Sequence, residues 1–313
     1  MYHIIINPAS RSGRGLKIWK EQIEPALHQS AVPYRSYFSR AAGDIARITS
    51  EILSSHDQAD AVSPLTLIIL GGDGTVNEAL AGIKDPSRVI LGYIPTGSSN
   101  DLARALRLPK NPLSALELIL HNGHVVSMDL GCVTHSDGEK RLFAVSCGIG
   151  FDAAVCREAL HSPMKDLLNK LGLGKLTYLG IGLKQLFAAK AASCSLSLDC
   201  VPATHINRVL FVTFMIHPYE GGGFMFCPHA DACDGLLSLC AVGDIPKPLV
   251  LTALPAAFWG KHYFLKGIAL YKGASAHIES SRPLWVHTDG EVTRMSASFS
   301  VSCLPNALKI IIS

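Results

Sequence analysis

The fold of this chain is decided by the stretch LTLIILGGDGTVNEALAGI (Leu65–Ile83). Its first six residues form an apolar run typical of a strand buried in a parallel sheet, and the residues from Val76 onward have helical periodicity. The glycines between them allow positive φ angles and a close approach of backbone to ligand, and the helix N-terminus presents free N–H groups to an anion. The loop has neither the lysine of a Walker motif nor a G-x-G-x-x-G pattern. We therefore predict a strand, a phosphate-binding turn and a helix.

The same pattern occurs twice more in the first third of the chain. His3–Ile6 leads into NPASRSGRG (Asn7–Gly15), and Val89–Ile94 leads into PTGSSND (Pro95–Asp101). Both loops are followed by helical patterns. Because the carboxyl ends of parallel strands meet at one edge of a sheet, we expect all three loops to lie where α/β proteins bind ligands.

Short β-like runs separated by turn signals replace this pattern after about Ser127. One helical interruption, at about 163–190, lies among them. The runs are Leu142–Ser146, Ser195–Cys200, Arg208–Met215, Leu236–Ala241, Ala276–Glu279, Leu284–His287 and Ala297–Cys303. The sequence therefore predicts an α/β domain with a parallel sheet in residues 1–128, to which a strand in 304–313 returns, and a mainly antiparallel β-sandwich in 129–303.

Composition excludes several classes of protein. Apolar residues make up 48% of the 313 positions and charged residues 17%, which argues against disorder. A net charge of +3 is too small to imply nucleic-acid binding. The nine cysteines are scattered without a C-x-x-C pair, so we expect reduced thiols and not a disulfide framework. We find no signal peptide and no apolar run of membrane-spanning length, and we expect a cytoplasmic protein.

Polar side chains in the three loops suggest phosphate chemistry. Thr96 and Ser98 can bond phosphate or ribose oxygens, and Arg11 and Arg14 can neutralise phosphate charge unless their loop is simply solvated. Asp73 would repel a phosphate unless its carboxylate caps a helix, bonds a hydroxyl or works through a metal ion. The residues alone leave these three roles open.

Motifs across nearly the whole chain resemble the diacylglycerol kinase catalytic-domain family. The first three are NP-x-S, GGDGT-x-N-E and PTG-x-x-ND, and four more follow downstream: GIGFDA (Gly148–Ala153), GGG (Gly221–Gly223), PHADACDGL (Pro228–Leu236) and DGE (Asp289–Glu291). The family includes soluble bacterial lipid kinases, sphingosine kinases and ceramide kinase, and is related to NAD kinase. The resemblance implies an NAD kinase-like fold, in which ATP binds in a cleft between the α/β domain and the β-sandwich.

The resemblance also assigns roles to individual residues. Glu291 would be the general base that accepts a proton from the lipid hydroxyl, and Asp73 would help to hold Mg²⁺, with Asp289 as a partner. Taken alone, the DGE motif would favour an ordinary Asp-Gly hairpin turn. The implied nucleotide contacts are Asn7, Pro8, Ser10, Arg14, Ser39, Gly71, Gly72, Gly74, Thr75, Asn77, Thr96, Gly97 and Ser98.

A second, structural Mg²⁺ site is implied in the β-sandwich domain. By position it maps to the side chains of Asp231 and Asp234 and to the backbone carbonyl of Leu236. Asp234 and Gly235 would also suit a simple turn.

A lipid kinase of this kind must reach a substrate at a membrane surface. The segment Arg157–Lys190 carries six basic residues against two acidic ones, with leucines interleaved, so it suits either an interfacial helix or a core helix with a solvated face. The aromatic residues Phe258, Trp259, Tyr263 and Phe264 are interpreted as core. A homodimer is left open.

The leading hypothesis from the sequence is transfer of the ATP γ-phosphoryl group to a hydroxyl of diacylglycerol or a similar lipid. An enzyme of the same fold could act instead on a sphingoid base, another lipid alcohol or NAD. A non-catalytic nucleotide- or lipid-binding regulator is the remaining alternative, and the intact GGDGT and DGE motifs disfavour it.

Overall fold

The computed structural model describes residues 1–59, 63–161, 174–188, 192–199 and 201–313. The chain divides into two compact units. Unit 1 comprises Met1–Asp129 and Asn306–Ser313, and unit 2 comprises Leu130–Pro305.

Unit 1 contains a parallel sheet of the strands β1 (Tyr2–Ile6), β2 (Tyr34–Phe38), β3 (Leu65–Gly71) and β4 (Val89–Pro95) in the order β4-β3-β1-β2. The end of the chain adds to this sheet, because Lys309 and Ile310 pair in parallel with Ile90 and Leu91 of β4. The helices are α1 (Ser10–Ile18), α2 (Glu24–Ser30), α3 (Asp44–Ala59), α4 (Asp73–Ala81), α5 (Asp101–Ala105) and α6 (Pro112–Glu117), with π-helical turns at Trp19–Ile23 and Leu118–Asn122 and a 3₁₀ turn at Pro86–Arg88.

The core of unit 1 explains why its strands are apolar runs and not alternating patterns. Ile4 and Ile6 of β1 and Ile68 of β3 are fully buried in one cluster with Trp19 and Ile23 of the π-helical turn. Their neighbours Ile5 and Ile69 are fully buried as well. Both faces of these central strands are therefore covered, as is usual in parallel sheets.

Unit 2 is mainly antiparallel. Its strands follow the order β11-β10-β9-β7-β12-β13, and β8 pairs with both β9 and β12 beyond the end of β7. Strand β5, which pairs with β6 and β13, begins in unit 1. The strands are β5 (His124–His135), β6 (Lys140–Phe143), β7 (Ser146–Gly150), β8 (Ala192–Leu198), β9 (Thr204–Met215), β10 (Leu237–Gly243), β11 (Ile268–Gly273), β12 (Ser275–Thr288) and β13 (Glu291–Ile312).

The described helices of unit 2 are α7 (Phe151–His161), α8 (Gly174–Ala188) and α9 (Lys247–Ala257), with a 3₁₀ turn at His262–Phe264. The helical interruption predicted at about 163–190 lies partly outside the described residues, which omit 162–173 and 189–191. Within the described ranges, no helix is long and apolar enough to cross a membrane. The cysteines in these ranges are free thiols, and most are buried, as the sequence predicted.

Candidate active site

Side-chain hydrogen bonds join the three loops at the carboxyl ends of β1, β3 and β4. Asn7 Nδ2 donates to Thr75 Oγ1 over 3.1 Å, which ties the first loop to the GGDGT loop. Ser10 and Thr96 share a hydrogen bond of 2.8 Å between their hydroxyl oxygens, which ties the first loop to the third. The Thr96 N–H also donates to Gly71 O over 2.7 Å. Four residues predicted to contact nucleotide are thus brought together within unit 1.

The glycines of these loops allow two backbones to meet. A Cβ atom on Gly97 would lie 2.6 Å from Gly72 Cα, and one on Gly72 would lie 3.1 Å from Gly97 Cα. The glycines of the GGDGT loop serve this close approach and not a positive φ angle, because Gly71, Gly72 and Gly74 all lack one, and Gly72 has φ −107°. Side chains at these positions would keep the GGDGT and PTGSSND loops apart.

The first loop has the most unusual backbone. Arg11, Ser12 and Gly13 have consecutive φ angles of 49°, 58° and 90°, a left-handed turn inside α1. Arg11 and Arg14 of this loop are both exposed. Ser39, at the end of β2, donates its N–H to Ile6 O over 3.0 Å and therefore lies beside the end of β1.

Asp73 caps a helix, but not the helix that it begins. Its carboxylate accepts the N–H groups of Asp101 (2.8 Å) and Leu102 (3.2 Å), at the N-terminus of α5. The buried Tyr93 hydroxyl lies next to this contact and donates to Asn100 Oδ1 over 3.3 Å. Burial, together with the charges of Asp73 and Asp101, raises the pKa of Tyr93 well above its ordinary value, so the phenol stays neutral and can donate.

In unit 2, the DGE motif forms a two-residue hairpin loop between β12 and β13. Asp289 and Gly290 have φ angles of +50° and +84°, and Thr288 pairs with Glu291 across the hairpin. Positive φ at both loop residues is the requirement of a type I′ turn. Glu291 is half-buried and is the first residue of β13.

The Asp289 carboxylate holds a neighbouring backbone segment. It accepts the N–H groups of Ala144 (2.9 Å), Val145 (2.8 Å) and Ser146 (3.0 Å). These bonds take three of the roughly four acceptor positions of a carboxylate. The geometry therefore shows a structural role for Asp289, and its partnership with Mg²⁺ stays a prediction.

A buried cluster that sequence reasoning did not single out lies next to this hairpin. His287 Nε2 lies 3.2 Å from Asp152 Oδ2 and 3.1 Å from Glu220 Oε1. The strand register places Thr213, Gly148 and His287 side by side on β9, β7 and β12, and Thr213 donates its hydroxyl to Glu220 over 3.0 Å. A side chain on Gly148 would overlap the Asp152 carboxylate and the imidazole of His287. The cluster therefore depends on that glycine.

The protonation of the cluster follows from a backbone contact. The Gly290 N–H donates to His287 Nδ1 over 3.2 Å, so Nδ1 bears a lone pair and Nε2 carries the proton of the neutral ring. Burial raises the pKa of Asp152, which favours retention of protons among these close acidic groups. The three ligand atoms lie within 4.8 Å of one another, close enough for a metal ion. With its Nε2 proton, His287 forms a hydrogen-bonded triad with Asp152 and Glu220 that also contacts the DGE turn.

The residues of the predicted structural Mg²⁺ site form turns. Asp231 Oδ1 accepts the Cys233 N–H over 3.0 Å, and Asp234 Oδ1 accepts the Leu236 N–H over 2.9 Å. The second oxygen of Asp234 forms an ion pair with the Lys272 ammonium. A cation that bound Asp234 there would have to displace Lys272, and this site stays a prediction.

The comparisons with known proteins account for both units. The family model described as diacylglycerol kinase catalytic domain matches residues 1–133, and the model described as YegS C-terminal NAD kinase beta sandwich-like domain matches residues 145–312. This chain belongs to the diacylglycerol kinase family of lipid kinases.

Individual relatives of this family agree with the models. A protein of Serratia proteamaculans named "Probable lipid kinase YegS-like" is 31% identical to this chain, over 85% of this chain and 80% of that protein. A diacylglycerol kinase of Mycobacterium tuberculosis (strain H37Rv) is 29% identical over 78% of this chain and 76% of its own. The crystal structure of a diacylglycerol kinase from Bacillus anthracis covers 100% of this chain and 96% of its own with a TM-score of 0.70, and at 22% identity it supports the fold.

In this member of the lipid kinase family, the sequence motifs correctly identified the loops of the site, but they were less successful at identifying which side chains contact each other. Asn7, Ser10, Thr75 and Thr96 come together, and Asn77 is buried in α4 beside them in sequence. Sequence analysis missed the triad, although GIGFDA contains Asp152 and His287 lies two residues before the DGE motif. The signal that could have revealed the triad was a histidine, next to that motif, at a strand position of the kind that is usually buried and apolar.

Proposed function

We propose that this protein transfers the γ-phosphoryl group of ATP to a hydroxyl group of diacylglycerol or a similar lipid. Membership of the lipid kinase family supports phosphoryl transfer to a lipid. The observation that carries the nucleotide assignment is the pair of hydrogen bonds, Asn7–Thr75 and Ser10–Thr96, that join three glycine-containing loops at the ends of parallel strands. Strand ends of this kind are where α/β proteins bind phosphate-bearing ligands.

The donor groups of unit 1 fit a nucleotide. The hydroxyls of Ser10, Thr75 and Thr96 and the loop N–H groups supply donors, and the exposed Arg11 and Arg14 supply positive charge. Gly72 and Gly97 allow the GGDGT and PTGSSND loops to pack against each other, which brings the polar groups of the two loops close together. When bound, Mg²⁺ would neutralise phosphate charge, and the Asp73 carboxylate would help to hold it through water.

Glu291 is the proposed general base. As a carboxylate it would accept the proton of the lipid hydroxyl as the oxygen attacks phosphorus. Its backbone position is held by the type I′ turn before it, and that turn is held by the three hydrogen bonds to Asp289 and the Gly290–His287 contact. Positioning of this kind is the main contribution that a protein makes to phosphoryl transfer.

The choice of acceptor separates the remaining hypotheses. The Mycobacterium tuberculosis relative is named as a diacylglycerol kinase, which favours diacylglycerol, whereas YegS-like relatives are named only as lipid kinases. A sphingoid base, another lipid alcohol and NAD are alternatives with the same fold. A non-catalytic regulator would bind nucleotide or lipid without transferring phosphate.

Transfer of ³²P from γ-labelled ATP tests the proposal directly. With magnesium, the protein should label diacylglycerol in mixed micelles, with sphingosine, monoacylglycerol and soluble NAD assayed in parallel. Glu291→Gln should lower turnover by a factor of about 100 or more, since general-base catalysis contributes roughly 10²–10⁴-fold. Glu279→Gln, an exposed substitution on β12, is the matched control and should leave turnover unchanged.

Each other outcome has a defined meaning. Label in sphingosine or NAD alone would replace diacylglycerol by that acceptor. Absence of label in every acceptor, from folded protein that binds ATP, would contradict the kinase proposal and favour a regulator. Near wild-type turnover of folded Glu291→Gln would remove Glu291 as the base.

A further inference from the structure

Aromatic side chains point into solvent along the segment FWGKHYFLK (Phe258–Lys266), which follows α9. The exposed fractions are 46% for Phe258, 70% for Trp259, 41% for Tyr263 and 68% for Phe264. The interpretation of these four residues as core is therefore wrong. Large exposed aromatic side chains so close together mark an interaction site, whereas single exposed apolar residues are normal.

The backbone of this segment is held from inside the unit. His262 is buried, and its ring packs edge-on to Phe226 with ring centroids 6.0 Å apart. Phe258 packs on Phe224 at 4.0 Å between ring centroids. Gly260 has φ +61° and lies against Pro228, where a Cβ atom would approach Pro228 Cγ to 2.5 Å. The segment is therefore a turn that is packed against the rest of unit 2, and its backbone directs Trp259 and Phe264 toward solvent.

The chain on either side of the segment carries lysines and no acidic residue. From Ile245 to Lys272 the sequence contains four lysines and neither aspartate nor glutamate. Lys261 and Lys266, within the aromatic segment, are exposed. Lys247 donates to Phe187 O over 2.9 Å, and Lys272 forms an ion pair with Asp234. The aromatic segment therefore presents apolar rings together with two exposed positive charges.

We propose that Phe258–Lys266 docks this protein on an anionic lipid bilayer. Tryptophan, tyrosine and phenylalanine rings enter the interface between headgroups and acyl chains, and the lysines reach the lipid phosphates. A second copy of the chain fits less well, because a symmetric contact would bring two sets of lysines together. The inference rests on the proposed function, since a kinase whose substrate lies in a membrane must bind that surface.

Vesicle binding without nucleotide tests the docking segment apart from catalysis. Wild-type protein should cosediment with vesicles of phosphatidylcholine and phosphatidylserine, and more weakly with phosphatidylcholine alone or at high salt. Lys261→Gln with Lys266→Gln should weaken binding roughly 25-fold, at about fivefold for each lysine. Trp259→Ala with Phe264→Ala should weaken it roughly 10- to 100-fold. Leu113→Ala with Val125→Ala, exposed positions of unit 1, is the matched control and should leave binding unchanged.

Trp259 also provides a direct spectroscopic readout. Its fluorescence should shift to shorter wavelength on addition of anionic vesicles and be quenched by brominated lipids, and Trp259→Phe should lose both signals while retaining binding. The buried Trp19 cannot report this contact, and the half-buried Trp285 is replaced by phenylalanine in both proteins to remove its emission. Vesicle binding without a Trp259 signal, or unchanged by the Trp259→Ala and Phe264→Ala pair, would overturn the proposal. A dimer in solution that shields Trp259 from soluble quenchers would assign the segment to a contact between copies instead.

A water-soluble short-chain diacylglycerol separates this inference from the proposed function. The docking variants should phosphorylate it at the wild-type rate, although they lose activity on vesicles. Loss of both activities together would contradict a pure docking role. Vesicle binding by protein that phosphorylates no acceptor would refute the kinase proposal and leave the docking surface standing.

Discussion

Asp73 carries two roles that a pair of substitutions can separate. Its carboxylate caps α5 through the N–H groups of Asp101 and Leu102, and the proposed function also assigns it to Mg²⁺. Asp73→Ala removes the cap and the charge together. Asp73→Asn removes the charge but keeps one side-chain oxygen, and asparagine is as good an N-cap residue as aspartate.

The structure sets the size of the capping effect. Loss of an N-cap costs about 1 kcal/mol, and the two bonds here are made to a charged group, which raises the figure to about 2 kcal/mol for Asp73→Ala. That free energy corresponds to roughly 30-fold faster hydrogen exchange at the amides of Asp101 and Leu102 if they exchange by local opening. Asp73→Asn keeps an acceptor for only one of the two N–H groups, because Oδ2 and Oδ1 of Asp73 accept one each. Exchange should therefore change by less than about fivefold at one amide and become faster at the other.

Magnesium dependence measures the second role. If Asp73 holds the ion through water, both variants should require roughly 10- to 100-fold more Mg²⁺ for half-maximal turnover. Asp85→Asn is the control, because Asp85 caps the 3₁₀ turn of the same unit by accepting the Ser87 N–H over 3.0 Å. Wild-type magnesium dependence in Asp73→Asn would show that Asp73 is a cap alone. Unchanged exchange in Asp73→Ala would refute the capping geometry.

Further substitutions test the supports of unit 2. Gly148→Ala should destabilise the protein by about 1–3 kcal/mol in urea unfolding, because the new Cβ atom would overlap the triad. The control is Gly180→Ala in helix α8, where a Cβ atom meets no described atom within 4 Å, and it should stabilise the protein by about 0.5–1 kcal/mol. Equal effects of the two substitutions would contradict the packing argument. Asp289→Ala should cost roughly 3–5 kcal/mol in the same assay, since three N–H groups lose a charged acceptor, and a cost below about 1 kcal/mol would show that they are solvated instead. Burial lowers the pKa of His217 to about 4. Between about pH 6.5 and 4 this histidine is therefore protonated in the unfolded state but neutral in the folded state. The free energy of unfolding should fall by about 2 kcal/mol as the pH is lowered from 7.5 to 5. His217→Gln should lose that dependence, the exposed His205→Gln should keep it, and an unchanged pH profile in His217→Gln would exclude His217 as its source.

The predictions from sequence succeeded where a feature depends on neighbours along the chain. Apolar runs followed by glycine loops located β1, β3 and β4, since strand periodicity and turn chemistry are local properties. Family membership followed from motifs of a few residues each. The Asp-Gly hairpin was readable for the same reason, because only certain residues adopt positive φ at both loop positions.

The side-chain partners could not be predicted in this way. Asp73 caps a helix that begins 28 positions later, and Asp289 holds a segment about 145 positions earlier. Such contacts depend on strand register and on how helices pack, and residue spacing in the sequence does not contain that information. The roles of Asp73 and Asp289 therefore stayed open at the level of sequence.

The sequence by itself determined the family, the classes of the two folded regions and the loops that face the proposed nucleotide, because local periodicity and short motifs encode them. Tertiary structure alone decided which polar groups pair and which apolar groups face solvent. It brought Asp152, Glu220 and His287 together around Gly148, and it exposed Trp259 and Phe264 in a segment whose composition suits a core. Burial is a property of the packed chain: the same aromatic residue is buried or exposed according to which face of a turn the rest of the fold covers.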